Sequence, residues 1–316
     1  MKILSKIIVI VMISVVIYTS LIIYSDLIKI SNESLSFQIE YAPLIISSLT
    51  FSFFMAILRW HIFLKKSEII IPKRSTVLIF MAGFSLSIIP GKVGELIKSE
   101  LLKIKYEIPR KNSVPIIFAE QLYSAIGLII ISCFGIYYFD LSVYVVILFA
   151  VIIAAIFTLL LSKKLFIKSS KIFCKIKFLN NFLKDMSESY VVIRQLFSYK
   201  VLIPSLTLSV LFWVFQGISV YLILLSFGIN LFDFVTLLTV YTSSIMLGVI
   251  SFLPLGIGVV EGSLVGFMSY QGLEISSALT LVVIIRLIVQ WLPITVGFIS
   301  LRIIHGFSTK DSGIFT

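Results

Sequence analysis

The stretch Leu253-Pro254-Leu255-Gly256-Ile257-Gly258-Val259-Val260-Glu261-Gly262 interrupts a long apolar segment with a proline, three glycines and a carboxylate. A second stretch, Ile88-Ile89-Pro90-Gly91-Lys92-Val93-Gly94-Glu95, interrupts another apolar segment earlier in the chain. Proline and glycine break helices, and broken backbone is tolerated at membrane depth only where protein or a water-filled cavity satisfies it. The two stretches therefore predict broken hairpins that enter the membrane and return.

The composition requires a membrane around this chain of 316 residues. Hydrophobic residues make up 59% and charged residues only 13%, and the mean hydropathy is +1.13. An ordinary soluble domain has about 25% charged residues, so this chain cannot cover a soluble surface. These values exclude a disordered chain, a disulfide scaffold and a soluble nucleotide-binding enzyme, and they indicate an integral membrane protein.

Six apolar segments have the roughly 20 residues that span a bilayer as a helix. They are Ile7–Tyr24, Ala42–Leu64, Ser113–Phe139, Leu141–Leu161, Val201–Phe227 and Ser276–Ile304. The first follows Lys2 and Lys6 and is too long for a cleaved signal sequence, so we expect an uncleaved span.

The net charge of +11 is distributed asymmetrically. Basic residues concentrate in the links 65–74, 98–111 and 162–200, whereas the remaining links hold six acidic residues and Lys29 as their only base. Cytoplasmic loops collect Lys and Arg, so we predict that both termini and these three links are cytoplasmic. Each interrupted segment then has both of its ends on one side of the membrane.

This topology predicts an inverted repeat with halves 1–140 and 141–316 within a single transmembrane domain, 1–316. Each half has two spans, one broken hairpin and a third span, and the two halves have opposite orientation. The spacing agrees, because Glu95 precedes Glu261 by 166 residues and Glu120 precedes Arg286 by the same number. Inverted repeats with Pro/Gly-broken segments are typical of transporters.

The segment 162–200 is the only long polar stretch. It alternates lysines with Phe, Ile and Leu, which favours amphipathic helices on an anionic leaflet, with a solvated linker as the alternative.

The two interrupted stretches resemble the first and second motifs of the lysylphosphatidylglycerol synthase transmembrane-region family, also called the flippase-like domain family. Arg286, Trp291-Leu292-Pro293 and Gly297 fit its C-terminal span, and Leu58-Arg59-Trp60 is also similar. The resemblance implies an all-α polytopic membrane protein that moves lipids or lipid-linked headgroups between leaflets. It does not imply synthase activity here, because we expect no soluble aminoacyl transferase domain after Thr316.

This chain departs from the family pattern in the span after the first motif. The family commonly has Glu-Arg and then Asp there, whereas this chain has Glu120-Gln121 and Ser124. The missing cation weakens any transfer of headgroup-binding details.

Ionisable residues within apolar segments are candidates for function. At the first break the N–H groups after Pro90 and the Lys92 charge suit an anionic headgroup, or Lys92 and Glu95 form an i,i+3 ion pair that stabilises the hairpin. Glu261 suits a cation or proton, or only a favourable helix N-terminus. The predicted substrate path comprises Pro90, Gly91, Lys92, Gly94, Glu95, Glu120, Pro254, Gly256, Gly258, Glu261, Gly262 and Arg286.

Glu120 and Arg286 hold equivalent places in the two halves, and we expect them to face each other, either as a moving pair or as a structural salt bridge. Arg286 could also receive a lipid phosphate through its planar fork. Arg59 and Trp60, near the end of their span, favour a snorkelling cation beside an aromatic interface anchor.

The chain lacks a Ser-His-Asp set, an HExxH motif, a P-loop and a metal-ligand cluster, so we predict no enzyme activity, metal or cofactor. We predict translocation of an anionic phospholipid or a polyprenyl-phosphate-linked sugar in a prokaryotic cell membrane. Expected partners are membrane lipids or lipid-linked glycans, with a separate lipid- or glycan-modifying enzyme as a further possibility and no nucleic acid. The alternatives are a small-solute or ion transporter and a lipid-phosphate transferase that uses Glu95 or Glu261 as a base.

Overall fold

The computed structural model describes residues 37–89, 94–133 and 190–305, together with positions 147 and 151. These residues are helical, with connecting turns and no β-strand among them. The helices are α1 (Ala42–Lys66), α2 (Lys73–Ser85), α3 (Ile97–Tyr106), α4 (Arg110–Ser132), α5 (Tyr190–Leu196), α6 (Tyr199–Ser226), α7 (Phe234–Ile250), α8 (Val259–Tyr270), α9 (Ile275–Ile285) and α10 (Leu292–His305).

Four helical segments of the described chain are long and apolar enough to cross a membrane. They are Ile39–Lys66, Arg110–Ser132, Tyr199–Ser226 and Ile275–Ile304. They overlap four of the six predicted spans, of which Ser113–Phe139 is described only as far as Cys133. Leu141–Leu161, apart from positions 147 and 151, and Ile7–Tyr24 lie outside the described residues. The described part of the chain is therefore all-helical, as in a polytopic membrane protein.

The predicted breaks separate pairs of shorter helices. α2 and α3 flank the first break, and α7 and α8 flank the second. α7 is apolar but has only 17 residues, which is short for a complete span because about 20 residues are needed.

Local chemistry explains where several helices begin and end. Lys65 and Lys66 lie in the last turn of α1, where cations interact favourably with the helix dipole. At the start of α7 the Asp233 carboxylate accepts hydrogen bonds from the side chain and backbone of Thr236. These bonds hold the pKa of the Asp233 carboxyl below its ordinary value and mark Asp233 as the N-cap.

The described residues form two compact units. One contains those within Met1–Ser52, Met81–Glu95 and Val214–Thr316, and the other contains those within Phe53–Phe80 and Leu96–Trp213. Both units draw residues from the predicted halves 1–140 and 141–316. The two units, which are defined by packing, thus differ from the two predicted halves, which are defined by repetition in the sequence. The division into repeat halves stays a prediction.

In the first unit α7 packs against α8, and α8 packs against α9. α10 also approaches the end of α2 closely at Gly297. A Cβ atom at this position would lie 2.7 Å from the Ser85 nitrogen and 2.8 Å from the Met81 oxygen. Only glycine allows this contact between the two backbones.

In the second unit α4 packs against α3 and α5. Its core contains the Tyr123 ring, which lies between Phe63 at 5.3 Å and Phe197 at 5.2 Å, measured between ring centroids. The Tyr123 hydroxyl donates to the Leu196 carbonyl at 2.9 Å. This hydrogen bond satisfies the hydroxyl of a large, buried aromatic side chain and connects α4 to α5.

Candidate functional site

The second break consists of a short 3-10 turn and a few residues of irregular backbone between α7 and α8. Its backbone is left-handed at Phe252, Leu255, Gly256 and Gly258, with φ of 52°, 53°, 66° and 85°. Left-handed backbone is unfavourable for Phe and Leu. A surrounding structure that holds it must supply compensating contacts, and two charged side chains do so here.

Glycine is required at Gly256 for a second reason. A Cβ atom there would lie 2.8 Å from the Gly248 Cα atom and from a methyl group of Val260. The turn therefore packs directly onto α7. Gly258 has open space around it but a positive φ, whereas Gly262 has open space and lies within α8. The structure thus gives packing or backbone reasons for Gly256 and Gly258 and none for Gly262.

Glu261 closes the break from the α8 side. It occupies the third position of α8, and its Oε2 atom accepts a hydrogen bond from the Gly258 N–H at 2.7 Å. A carboxylate here satisfies one of the otherwise unpaired N–H groups at a helix start. Glu261 is 3% exposed, so its second oxygen also needs a partner in the interior.

Arg286 provides that partner. Its Nε donates to Glu261 Oε1 at 2.7 Å, and its Nη2 donates to the Leu255 carbonyl at 2.7 Å. Arg286 is 2% exposed and begins a π-helical segment, Arg286–Trp291, that joins α9 to α10. π-helical segments often occur at functional sites. The guanidinium thus bridges the carboxylate of α8 and the backbone of the break.

At the first break, Pro90, Gly91 and Lys92 lie outside the described residues. Gly94 is packed so tightly that a Cβ atom would lie 1.7 Å from the Leu86 oxygen. Glu95 is 4% exposed. The two described members of the predicted substrate path at this break, Gly94 and Glu95, are therefore buried, as expected of a break that is enclosed by protein.

Glu120 pairs with a residue that the sequence analysis did not select. The Lys98 ammonium donates to both Glu120 oxygens, at 3.0 and 2.8 Å, and Lys98 is fully buried. The same ammonium lies 5.3 Å from the centre of the Trp60 ring and 4.8 Å from that of Phe80. These distances fit cation–π contacts.

The structure pairs Glu120 with Lys98 and Arg286 with Glu261. That Glu120 and Arg286 face each other stays a prediction, because they belong to different units. The charge count had placed Lys98 in the cytoplasmic link. The sequence did indicate that Glu120 needs a cation from elsewhere in the chain, because Glu120 lies in an apolar span without the cation that the family has next to it. In the structure Lys98, 22 residues before Glu120, supplies that charge.

The expectation that Arg59 snorkels towards the interface was wrong. Arg59 is 2% exposed, and its Nη1 atom donates to the Ser209 hydroxyl on α6. Trp60 is also fully buried, so it is a core residue and not an exposed anchor. Both side chains belong to the second unit, where Trp60 contributes to the surroundings of Lys98.

We expect Lys98→Met to lower the free energy of unfolding by about 3–5 kcal/mol, because it leaves the Glu120 carboxylate buried without its cation. The double variant Lys98→Met/Glu120→Gln should recover much of this loss, since no buried charge remains. Thermal unfolding of the purified protein in detergent measures both effects, and the double-mutant cycle isolates the coupling of the pair.

The matched control is Arg110→Gln. Arg110 and Glu100 also pair across α3 and α4, but the Arg110 side chain is 52% exposed. An exposed pair contributes about 0–1 kcal/mol, so this variant should stay close to the wild type. Equal losses from Lys98→Met and Arg110→Gln would contradict the role that we assign to burial.

Within the described ranges no group of three or more His, Cys, Asp and Glu side chains is arranged to hold a metal ion. The site consists of charge-assisted hydrogen bonds in the protein interior. They join the Arg286 guanidinium, the Glu261 carboxylate and backbone groups of the break.

Comparison with known proteins agrees with this architecture. Residues 11–297 match the family described as the lysylphosphatidylglycerol synthase TM region. A UPF0104 membrane protein of Methanocaldococcus jannaschii is 28% identical over 229 residues, which cover 71% of this chain and 96% of that protein. A UPF0104 membrane protein of Methanothermobacter thermautotrophicus is 33% identical over 97 residues, which cover 31% and 28% of the two chains. The chain belongs to the lysylphosphatidylglycerol synthase transmembrane-region family, a membrane domain that is associated with lipid flippase-like function.

Proposed function

We propose that this family member moves a lipid or lipid-linked headgroup from one leaflet of the membrane to the other. The headgroup passes through the protein interior at the helix breaks, while its acyl or prenyl chains stay in the surrounding lipid. The substrate is an anionic phospholipid or a polyprenyl-phosphate-linked sugar, and the membrane is that of a prokaryotic cell, with both termini cytoplasmic.

The arrangement that goes with this proposal is the predicted inverted repeat, with six full spans and two re-entrant hairpins. The described helices support it in two ways. Each break separates two helices, and α7 is short for a complete span. A polar path at such breaks needs irregular backbone that lines a cavity, which is the setting in which membranes tolerate it.

The observation that carries the proposal is the buried Glu261–Arg286 pair at the second break. A guanidinium binds phosphate oxygens with the same planar fork that it uses for a carboxylate. A phosphodiester that reaches Arg286 can therefore replace Glu261 as its anion. Arg286 stays paired in this exchange, whereas Glu261 keeps only its hydrogen bond from the Gly258 N–H and must take up a proton or water from the path to avoid the cost of an unpaired buried charge.

The Lys98–Glu120 pair is less suited to such an exchange. Its ammonium is fully enclosed by the carboxylate and the two aromatic rings. We assign this pair to stability, and we assign headgroup binding to Arg286.

The test is reconstitution of the purified protein into vesicles that contain fluorescent phospholipids labelled on an acyl chain. A membrane-impermeant reductant then measures how much of the label in the inner leaflet becomes accessible. We expect faster exposure of phosphatidylglycerol than in protein-free vesicles. A panel with phosphatidylethanolamine, phosphatidylcholine and a polyprenyl-phosphate sugar identifies the preferred class.

Folded protein that moves no lipid of this panel would contradict the proposal. Uptake of a small solute into vesicles by the same preparation would instead support a solute transporter. A chemically changed lipid in the extract would support a transferase.

A further inference from the structure

A row of buried, uncharged polar side chains runs through the first unit. The Gln216 amide on α6 donates from Nε2 to the Ser52 hydroxyl on α1 at 3.2 Å. Its Oε1 atom accepts from the Tyr241 hydroxyl on α7 at 3.3 Å. All three residues are buried, so the row joins three helices by hydrogen bonds in an apolar setting.

The row lies on the face of α7 that meets the second break. Tyr241 and Gly248 are seven residues apart on α7 and share a face of the helix, and Gly248 is the residue that contacts the turn at Gly256. The polar row and the broken backbone are therefore neighbours along one face of α7.

Ser244 lies on this face between Tyr241 and Gly248. It is fully buried, and its hydroxyl has no hydrogen-bond partner among the described residues. Two other buried hydroxyls of α7 behave differently, because Thr239 and Thr242 donate to carbonyls of their own helix. A buried hydroxyl without a partner is costly, and Ser244 can bind a polar group that reaches this face of α7.

The chemistry of this face suits a particular kind of ligand. Amide and hydroxyl groups can both donate and accept, and the row from Ser52 to Ser244 contains no charged side chain. It can bind hydroxyl groups, but it offers no carboxylate to an ammonium group, and Glu261 is already paired with Arg286.

We infer that Gln216, Tyr241 and Ser244 form a subsite for the hydroxyl-bearing part of a headgroup, such as glycerol or a sugar, whose phosphate is held by Arg286. The inference rests on the proposed lipid transport and adds the class of headgroup. It predicts that the protein prefers phosphatidylglycerol to phosphatidylethanolamine, because both have a phosphodiester but only the first ends in hydroxyl groups.

The experiment compares these two lipids in the vesicle assay, with the full chain as wild type and as Tyr241→Phe, Gln216→Met and Ser244→Ala. Each substitution removes hydrogen-bonding groups and keeps most of the side-chain volume. We expect the ratio of phosphatidylglycerol to phosphatidylethanolamine rates to fall by about fivefold in each variant, in keeping with the net value of one hydrogen bond. The phosphatidylglycerol rate should fall by more than the phosphatidylethanolamine rate.

The matched control is Thr242→Val, which removes a buried hydroxyl of α7 that donates to its own helix. It should leave the ratio of rates unchanged. A wild type that moves both lipids equally would overturn the inference and leave lipid transport standing, as would variants that slow both lipids in proportion. A wild type that moves neither would instead refute the proposed function.

Discussion

Arg286→Gln should abolish most lipid movement, with a rate at least about thirtyfold below that of the wild type. Removing one partner of a buried, hydrogen-bonded charge pair costs 2 kcal/mol or more, and here the lost cation is also the proposed phosphate ligand. The same change leaves Glu261 buried without its cation. We therefore expect a second effect, a loss of about 3–5 kcal/mol in the free energy of unfolding.

The double variant Arg286→Gln/Glu261→Gln separates these effects. Without a buried charge it should regain stability, but it should still fail to move lipid because the guanidinium is absent. Arg286→Lys keeps the charge and loses the planar fork, so its rate should lie between those of the wild type and Arg286→Gln.

Arg302→Gln is the matched control, since it removes the same charge from an exposed position of α10. It should leave both rate and stability close to the wild type. Stable Arg286→Gln protein that moves lipids at the wild-type rate would refute the role of Arg286 in transport.

Among glycine-to-alanine substitutions in the described chain, Gly94→Ala should destabilise the protein most. Its Cβ atom would lie 1.7 Å from the Leu86 oxygen and 2.5 Å from the Leu86 carbonyl carbon. Both atoms belong to the backbone, so no flexible side chain can move aside. We expect a loss of about 3 kcal/mol, at the upper end for added volume in a packed interior, and a low yield of monodisperse protein.

Gly262→Ala is the matched control because it adds the same methyl group at the other motif. Nothing lies within 4 Å of a Cβ atom there, and alanine favours helix over glycine by about 1 kcal/mol. This variant should unfold at the same temperature as the wild type or higher. Thermal unfolding and size-exclusion profiles in detergent measure both, and a Gly94→Ala protein as stable as Gly262→Ala would contradict the packing described at the first break.

The sequence was sufficient to predict the features that depend on apolar composition and on helix-breaking proline and glycine residues. Apolar length predicted the spans that the structure describes, and Pro254 with its glycines predicted the break between α7 and α8. Glu261 and Arg286 were selected because ionisable groups are costly in apolar segments.

What the sequence could not provide is the partner of each buried charge. α6 and α7 are apolar on nearly all sides, so periodicity does not show which face meets which neighbour. The sequence around Lys98 resembles that around the exposed lysines of the same link. Only its packing against Trp60 and Phe80 distinguishes Lys98 from them. The polar row through Gln216 was missed for the same reason.

The π-helical segment at Arg286–Trp291 sets the rotational register of everything that follows it. In an uninterrupted α-helix, residues eleven apart lie on nearly the same side. Arg286 and Gly297 are eleven apart, yet one meets Glu261 of α8 and the other meets the end of α2. The wider turn holds about one extra residue, which amounts to a rotation of roughly 100°. Deleting a single residue from this segment would make the helix regular, and it would turn either the arginine or the glycine away from its contact. Length changes in relatives should therefore avoid this segment, even though it is part of an otherwise ordinary apolar helix.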